Sequence, residues 1–189
     1  MSTRGCYGFR KNGIDKLTYN HSDSYPDYLG VVMVKFCKET SIEEMNEIFD
    51  RLILVNNNIQ PTAEQIQECR VYYNGNVSLQ TPDDWYCLLR NAQGEINEYK
   101  NGLRYMIEDC DFIKDSLFCE YAYIINLDTN CLEFWVGFQK EPSYGNRYGT
   151  ENNRGYYPCK MMSYYPLENM ELSIEEYVTD MNYVEVCDD

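Results

Sequence analysis

Leu117-Phe118-Cys119-Glu120-Tyr121-Ala122-Tyr123-Ile124-Ile125-Asn126-Leu127 is the stretch whose reading decides the fold. Aromatic and β-branched residues dominate it, and such side chains suit the pleated surface of a sheet. Asp128-Thr129-Asn130 supplies turn residues. Cys131-Leu132-Glu133-Phe134-Trp135-Val136-Gly137-Phe138 then returns with similar composition, so the two runs read as a β-hairpin. A second hairpin is predicted at the other end of the chain. Residues 5–10 and 14–19 flank Asn12-Gly13, a pair that tolerates the positive φ of a tight turn. Residues 157–167 are expected to add a strand.

Helices fill the middle. Ser24-Tyr25-Pro26-Asp27 reads as a turn before an apolar helix over residues 29–36. Ser41 and Glu44 form a capping box, followed by Ile42, Met45, Ile48, Phe49, Leu52 and Ile53 at helical spacing and a stop at Asn56-Asn57-Asn58. Thr62 with Gln65 offers a second box, ahead of Ile66, Cys69 and Tyr73. Thr81-Pro82-Asp83-Asp84 opens a third helix with Trp85, Leu88 and Leu89 inside and Gly94 as its stop. Ser173 with Glu176 caps a short last helix. Residues 141–156 are polar and rich in Gly and Asn, a long loop of the kind that carries function or lacks order. The order predicts one α+β domain over residues 1–189, with a mixed or antiparallel sheet built from the N-terminal and C-terminal hairpins and covered by helices.

Composition narrows the function classes. The chain has 189 residues, 44% of them hydrophobic and 19 of them Tyr, which excludes a disordered chain. It carries 16 Lys and Arg against 31 Asp and Glu, a net charge of −15. That balance argues against direct binding to nucleic-acid backbones or to acidic membranes, both of which need surplus cations. No run of about 18 apolar residues exists to span a bilayer. The N-terminal residues lack the apolar core of an export signal. Nine cysteines with no C-x-x-C pair then predict free thiols in a reducing cytoplasm. With a single histidine, His21, no metal site and no cofactor are expected.

Four groups of residues are candidates for chemistry or binding. Loss of Met1 would leave Ser2 as a terminal residue whose hydroxyl lies beside its own α-amino base. Cys6 is a second possible nucleophile, with Asn20, His21 and Asp23 as the helping groups and Arg4 to hold an anionic substrate. The plainer alternative is an edge strand starting at Ser2 and a solvated turn at 20–24. Arg4, His21 and Tyr25 would also line a nucleotide pocket. In the polar loop, Tyr144, Arg147 and Tyr148 would anchor a partner, because Arg and Tyr are favoured at interfaces; a flexible surface loop is the alternative. Glu108, Asp109 and Asp111, with Glu175, Glu176 and Asp180 and other acids of residues 161–189, would build one acidic face. Its alternative is plain solubility.

Two resemblances add to this reading. Ser2, the following hairpin and the Tyr19–Asp23 segment loosely resemble N-terminal-nucleophile amide hydrolases, without their usual Cys-Gly or Cys-Thr opening. Thr3-Arg4-Gly5 with Gly8-Phe9, Tyr19-Asn20-His21 through Pro26, Leu29-Gly30, Tyr121-Ala122-Tyr123 through Asp128, Leu132-Glu133-Phe134, Gly137-Phe138 and Tyr165-Pro166-Leu167-Glu168 resemble small proteins common in phages and prophages. That resemblance implies a viral accessory protein, with anti-CRISPR and other anti-defence inhibitors as the functional class. The leading expectation is therefore a cytoplasmic phage protein that binds and inhibits a basic, nucleic-acid-handling host enzyme such as a CRISPR effector through an acidic surface. The alternatives are an amide hydrolase and a nucleotide-signal binding protein.

Overall fold

The computed structural model describes residues 2–186. Met1, whose removal the hydrolase reading needs, lies outside the described residues, as do Cys187, Asp188 and Asp189 of the acidic C-terminal stretch. The N-terminal hairpin forms as β1 (Gly5–Lys11) and β2 (Ile14–Asn20), antiparallel from Gly5 opposite Asn20 to Lys11 opposite Ile14. Asn12 and Gly13 take φ of 54° and 72°, the conformation a two-residue turn requires. Their N–H groups donate to the Asp128 carboxylate at 2.6 and 2.9 Å, which ties this turn to the turn of the other hairpin.

A π-helical turn at Pro26–Gly30 leads into α1 (Val31–Glu39), followed by α2 (Ile42–Arg51), β3 (Ile53–Val55) and α3 (Ala63–Cys69). The Ser41 hydroxyl caps α2 by accepting the Glu44 N–H, but the Glu44 carboxylate pairs with Lys100 instead of closing the expected box, whereas Thr62 with Gln65 makes the full reciprocal box at α3. Two short helices follow, α4 (Trp85–Leu88) and α5 (Asn97–Lys100), then β4 (Tyr105–Ile107). The central hairpin is β5 (Tyr121–Asn126) and β6 (Cys131–Val136), with β7 (Lys160–Pro166) added beyond it and α6 (Ile174–Val186) closing the described chain.

The five-stranded sheet has the order β2-β1-β5-β6-β7. Each hairpin is antiparallel, and the two lie side by side through a parallel β1–β5 pair. The α+β class and the mixed sheet built from both hairpins are as the sequence predicts. Alternation along the strands gives the sheet two different faces. Tyr7, Phe9, Tyr123, Ile125, Leu132, Phe134 and Tyr165 face one layer, formed by Met33, Val34 and Phe36 of α1, Met45 and Ile48 of α2 and Tyr177 and Met181 of α6. Full burial of such side chains is worth about 1.5–3 kcal/mol each. The opposite face carries Cys6, Leu17, Ala122, Ile124 and Trp135 and is covered by Ile113, Cys119, Tyr148 and Cys159.

Several elements differ from expectation. The α2 stripe stops at Leu52, whose φ of −66° and ψ of 130° are extended. Ile53 therefore belongs to β3, which pairs in parallel with β4 as a separate two-stranded sheet. Neither three-residue strand is long enough to show an alternating pattern. Helix α4 spans four residues, capped by Asp84 rather than Thr81, because the Asp84 carboxylate takes the Tyr86 N–H at 3.3 Å. The last helix is longer than expected, with 13 residues. Among the described residues no helix is long and apolar enough to cross a membrane.

Gly8 of β1 lies opposite Leu17 of β2. A Cβ there would lie 2.1 Å from the Lys16 carbonyl oxygen, at a φ of 153° that L side chains rarely adopt. Gly8→Ala is expected to cost at least about 2 kcal/mol from overpacking and backbone strain. Urea unfolding measures it, and a loss below about 0.5 kcal/mol would contradict this close approach.

Candidate functional site

The predicted catalytic residues gather near the end of β2 without forming a catalytic chain. The Ser2 hydroxyl donates to the His21 backbone carbonyl at 2.5 Å, not to the imidazole. The exposed His21 ring faces the Tyr19 hydroxyl, with Nδ1 at 3.1 Å. Partial burial, followed by the charges of Arg90 and Arg4, lowers its pKa, so it is held neutral at physiological pH. Asp23 is exposed with φ of 57°, and no hydrogen bond joins its carboxylate to His21. Asn20 is buried and braces the turn, donating to the Ser22 carbonyl at 2.6 Å and to the Ser24 hydroxyl at 2.8 Å. Cys6 is buried with its sulfur 3.8 Å from that of Cys119, and Cys159 donates to the Cys119 carbonyl at 3.3 Å. A nucleophile needs a base within hydrogen-bond reach and a third group to orient that base. These residues do not supply that relay, and 20–24 is a turn braced from inside by the buried Asn20 and Ser24, with only His21 and Asp23 exposed.

The nucleotide-pocket trio is partly assembled. Arg4 lies close enough to His21 to shift it, but the Tyr25 ring packs against Tyr28 and Tyr121 at 5.8 and 6.4 Å. Arg90, Gln93 and Phe118 stand in that neighbourhood and escape the sequence reading. Arg90 follows the apolar run of a predicted helix and Phe118 opens a predicted strand, so both read as scaffold.

The polar loop is anchored, which corrects two of its three expected anchors. Arg147 turns inward and makes a bidentate pair with Glu133, with Nη1 2.8 Å from Oε1 and Nη2 on Oε2. Glu133 is 3% exposed and also accepts from Asn126 at 2.8 Å and from the Trp135 indole N–H at 3.0 Å. Burial alone would lower the Arg147 pKa, but the Glu133 bond more than offsets it and the guanidinium stays charged. Tyr148 is buried, and its hydroxyl donates to Asp15 at 3.0 Å. Asp15 in turn accepts from Arg10 at 2.8 Å. Arg147 and Tyr148 thus hold the loop to the sheet; Arg147 stays partly at the surface, with 24% of its side chain accessible, and Tyr144 is 91% exposed.

The expected single acidic face is two separate groups. Glu108, Asp109 and Asp111 lie beside β2, where the Asp109 N–H donates to the Leu17 carbonyl at 2.9 Å. Asp109 is half-buried and accepts the Tyr19 N–H at 3.1 Å; burial raises its pKa. Asp111 is exposed and paired with Lys114 at 2.6 Å. Glu175, Glu176 and Asp180 stand on α6, which packs against β7 and α1. β2 and β7 are opposite edges of the sheet, four spacings of about 4.8 Å apart, or about 19 Å. Glu176 completes a capping box with Ser173, and Asp180 accepts from the Tyr165 hydroxyl at 2.8 Å. Glu168, Glu171 and Glu175 are the exposed acids around α6 without such duties.

The eight described cysteines are free, and all but Cys110 are buried. Among the described residues no group of three or more His, Cys, Asp or Glu could hold a metal ion. One open cleft of about 620 Å³ runs between Phe138, Lys140, Lys160 and Met162, and another of about 640 Å³ lies between Lys38, Ser41, Leu167 and Met170. Compared with protein-family models, curated proteins and solved structures, the chain matches none.

Two outcomes follow from this geometry. Glu133→Ala leaves Arg147 charged and unpaired and is expected to cost about 3–5 kcal/mol, whereas Glu133→Gln with Arg147→Met should recover more than half of that loss. Equal stability of the two variants in urea would contradict the pairing. In a Cys187→Ser background, native thiol labelling should modify Cys110 first and slowly, since burial raises its pKa to about 11. Fast labelling of Cys6 or Cys119 would contradict their burial.

Proposed function

We propose that this chain is a non-catalytic phage or mobile-element protein that binds a basic, nucleic-acid-handling host enzyme and blocks it. The observation that carries this reading is the surface around α6. Glu168, Glu171 and Glu175 are exposed there, with Glu176 and Asp180 also at the surface, and the sequence from Met161 onward contains no Lys or Arg. Leu172 and Tyr183 are 47% and 67% exposed on the same segment and offer apolar contact between the charges. A field of one sign steers a basic partner to the surface and speeds its association. The absence of a nucleophile–base relay at Ser2 or Cys6 weighs against the hydrolase, and the resemblance of this chain's segments to small phage proteins favours an accessory role.

A panel of purified host nucleases, CRISPR effectors included, tests this by biolayer interferometry. Binding to the true partner should weaken at least about tenfold between roughly 50 and 300 mM salt. Glu168→Gln with Glu171→Gln and Glu175→Gln should weaken it by about tenfold again, mainly through slower association. These three side chains avoid the cap and the Tyr165 bond, so folding is preserved. Salt-insensitive binding, full retention by the triple variant, or no binding across the panel would sink the proposal.

A further inference from the structure

Five strand ends meet along one rim of the sheet. β1 and β5 are parallel and start there, β2 and β6 run the other way and finish there, and β7 starts there opposite the end of β6. The flanking segments place Arg4, His21, Phe118 and Phe138 along this rim. The Arg4 and Arg154 guanidinium carbons lie 4.7 and 5.4 Å from the centre of the Phe118 ring. Lys140 Nζ lies 3.3 Å from the centre of Tyr156, whose ring meets Phe138 edge-on at 6.3 Å. At the β2 end, Gln93 Oε1 accepts from Arg90 Nη1 at 2.7 Å and from the His21 backbone N–H at 3.2 Å, which fixes Arg90 beside His21. Arg90 also lies 5.9 Å over Tyr86.

Even in a chain of net charge −15, not every cation has an acid beside it. Arg10, Lys11, Lys100, Arg104, Lys114 and Arg147 each have a carboxylate within 4.0 Å. Among the described residues Lys16, Lys35, Lys38, Arg51 and Arg70 have no such partner, with Lys16, Lys38 and Arg51 on backbone carbonyls, and neither do Arg4, Arg90, Lys140 and Arg154, which gather on this rim beside aromatic rings and one amide. The Glu120 carboxylate, next to this cluster, accepts the Arg4 backbone N–H at 3.1 Å. Phe118, Tyr156 and Tyr86 are partly buried with cations over them, and Phe138 is the exposed ring beside them; a single nucleic-acid strand sets its phosphates against such charges and stacks its bases on open rings.

A second observation is independent of charge. Phe138 is 50% exposed and has a φ of 56°, a left-handed backbone that a bulky side chain adopts only under constraint. Its N–H is held by the Ser116 carbonyl at 2.8 Å. The constraint keeps the ring at the mouth of the 620 Å³ cleft instead of in the core.

We propose that this rim binds a short oligonucleotide, its phosphates against Arg4, Arg90 and Arg154 and a base stacked on Phe138. The rim runs across the sheet for about 19 Å, too long for one nucleotide to bridge. The net charge of the whole chain repels any part of a long polyanion that leaves the rim. Exclusion of general nucleic-acid binding therefore holds for long strands and not for ligands of a few nucleotides. This site is separate from the α6 surface and stands or falls without it.

Calorimetric titration of the full chain with d(pApA), dAMP, inorganic phosphate and an oligo(dA) of about 30 nucleotides tests it at about 50 mM salt. The dinucleotide should saturate one site per chain, at least about tenfold more tightly than dAMP or phosphate and no more weakly than the long strand. Arg154→Ala, in an exposed loop, and Phe138→Leu, at the surface, should each weaken it about fivefold or more without lowering the melting temperature. Arg4→Lys and Arg90→Lys should weaken it further when combined. No saturable dinucleotide binding, phosphate binding as tightly, a long strand binding at least tenfold tighter, or wild-type affinity in both Arg154→Ala and Phe138→Leu would overturn the proposal.

Discussion

A carboxylate buried in the middle of a β-strand is the constraint around which this structure is arranged. Glu133 is 3% exposed on β6, and taking such a charge out of water costs several kcal/mol unless it is fully paired. Its partners come from different parts of the chain. Asn126 belongs to the adjacent strand, Trp135 lies two residues on along β6, and Arg147 arrives from the polar loop. Arg147 also lies 4.7 Å over Trp135 and 5.0 Å over Tyr148, so its charge is satisfied on its faces as well as its edge. Through Tyr148, Asp15 and Arg10 the same network reaches the N-terminal hairpin, and Asp128 closes it by holding the Asn12-Gly13 turn.

This arrangement explains the difference between the two faces of the sheet. One face is apolar and needs only the helices α1, α2 and α6 over it. The other alternates small or apolar side chains with a charged network, and Ile113, Cys119 and Cys159 cover it together with Tyr148 of the polar loop. Pinning the loop at Arg147 and Tyr148 leaves residues on either side of them free to reach the rim, Lys140 onto Tyr156 and Arg154 onto Phe118. At the turn end of the hairpins Arg10, Lys11 and Arg147 pair with Asp15, Asp50 and Glu133, and Lys16 donates to the Phe49 and Leu52 carbonyls. At the other end Arg4 and Arg154 stand over Phe118, with Glu120 and Asp109 nearby on the Arg4 and Tyr19 N–H groups.

Hairpins were legible in the sequence because their signals are local. Asn12-Gly13 and Asp128-Thr129-Asn130 mark turns by residue type, and the runs beside them carry the β-branched and aromatic side chains a sheet favours. The capping residues Ser41, Thr62 and Ser173 were legible for the same reason. The parallel β3–β4 pair was not, because three residues carry no period and their pairing joins positions some fifty residues apart. The polar loop was misjudged at Arg147 and Tyr148 because composition reports polarity, and only the fold reveals that Glu133 lies buried beneath them. Acids at 108–111 and 175–180 looked like one surface since sequence carries no distance across a sheet. Arg90 and Phe118 were missed because each sits in a segment whose pattern is fully explained by helix or strand.

Hydrogen–deuterium exchange over residues 141–156 tests the role of the buried pair most directly, since it reads the order of the loop and not global stability. In Glu133→Gln with Arg147→Met, which leaves no buried charge unpaired, the amides of this loop should exchange about tenfold faster or more, while β5 and the α1 layer keep most of their protection. Unchanged protection of the loop, or uniform loss of protection across the sheet, would contradict the claim that Glu133 and Arg147 order it.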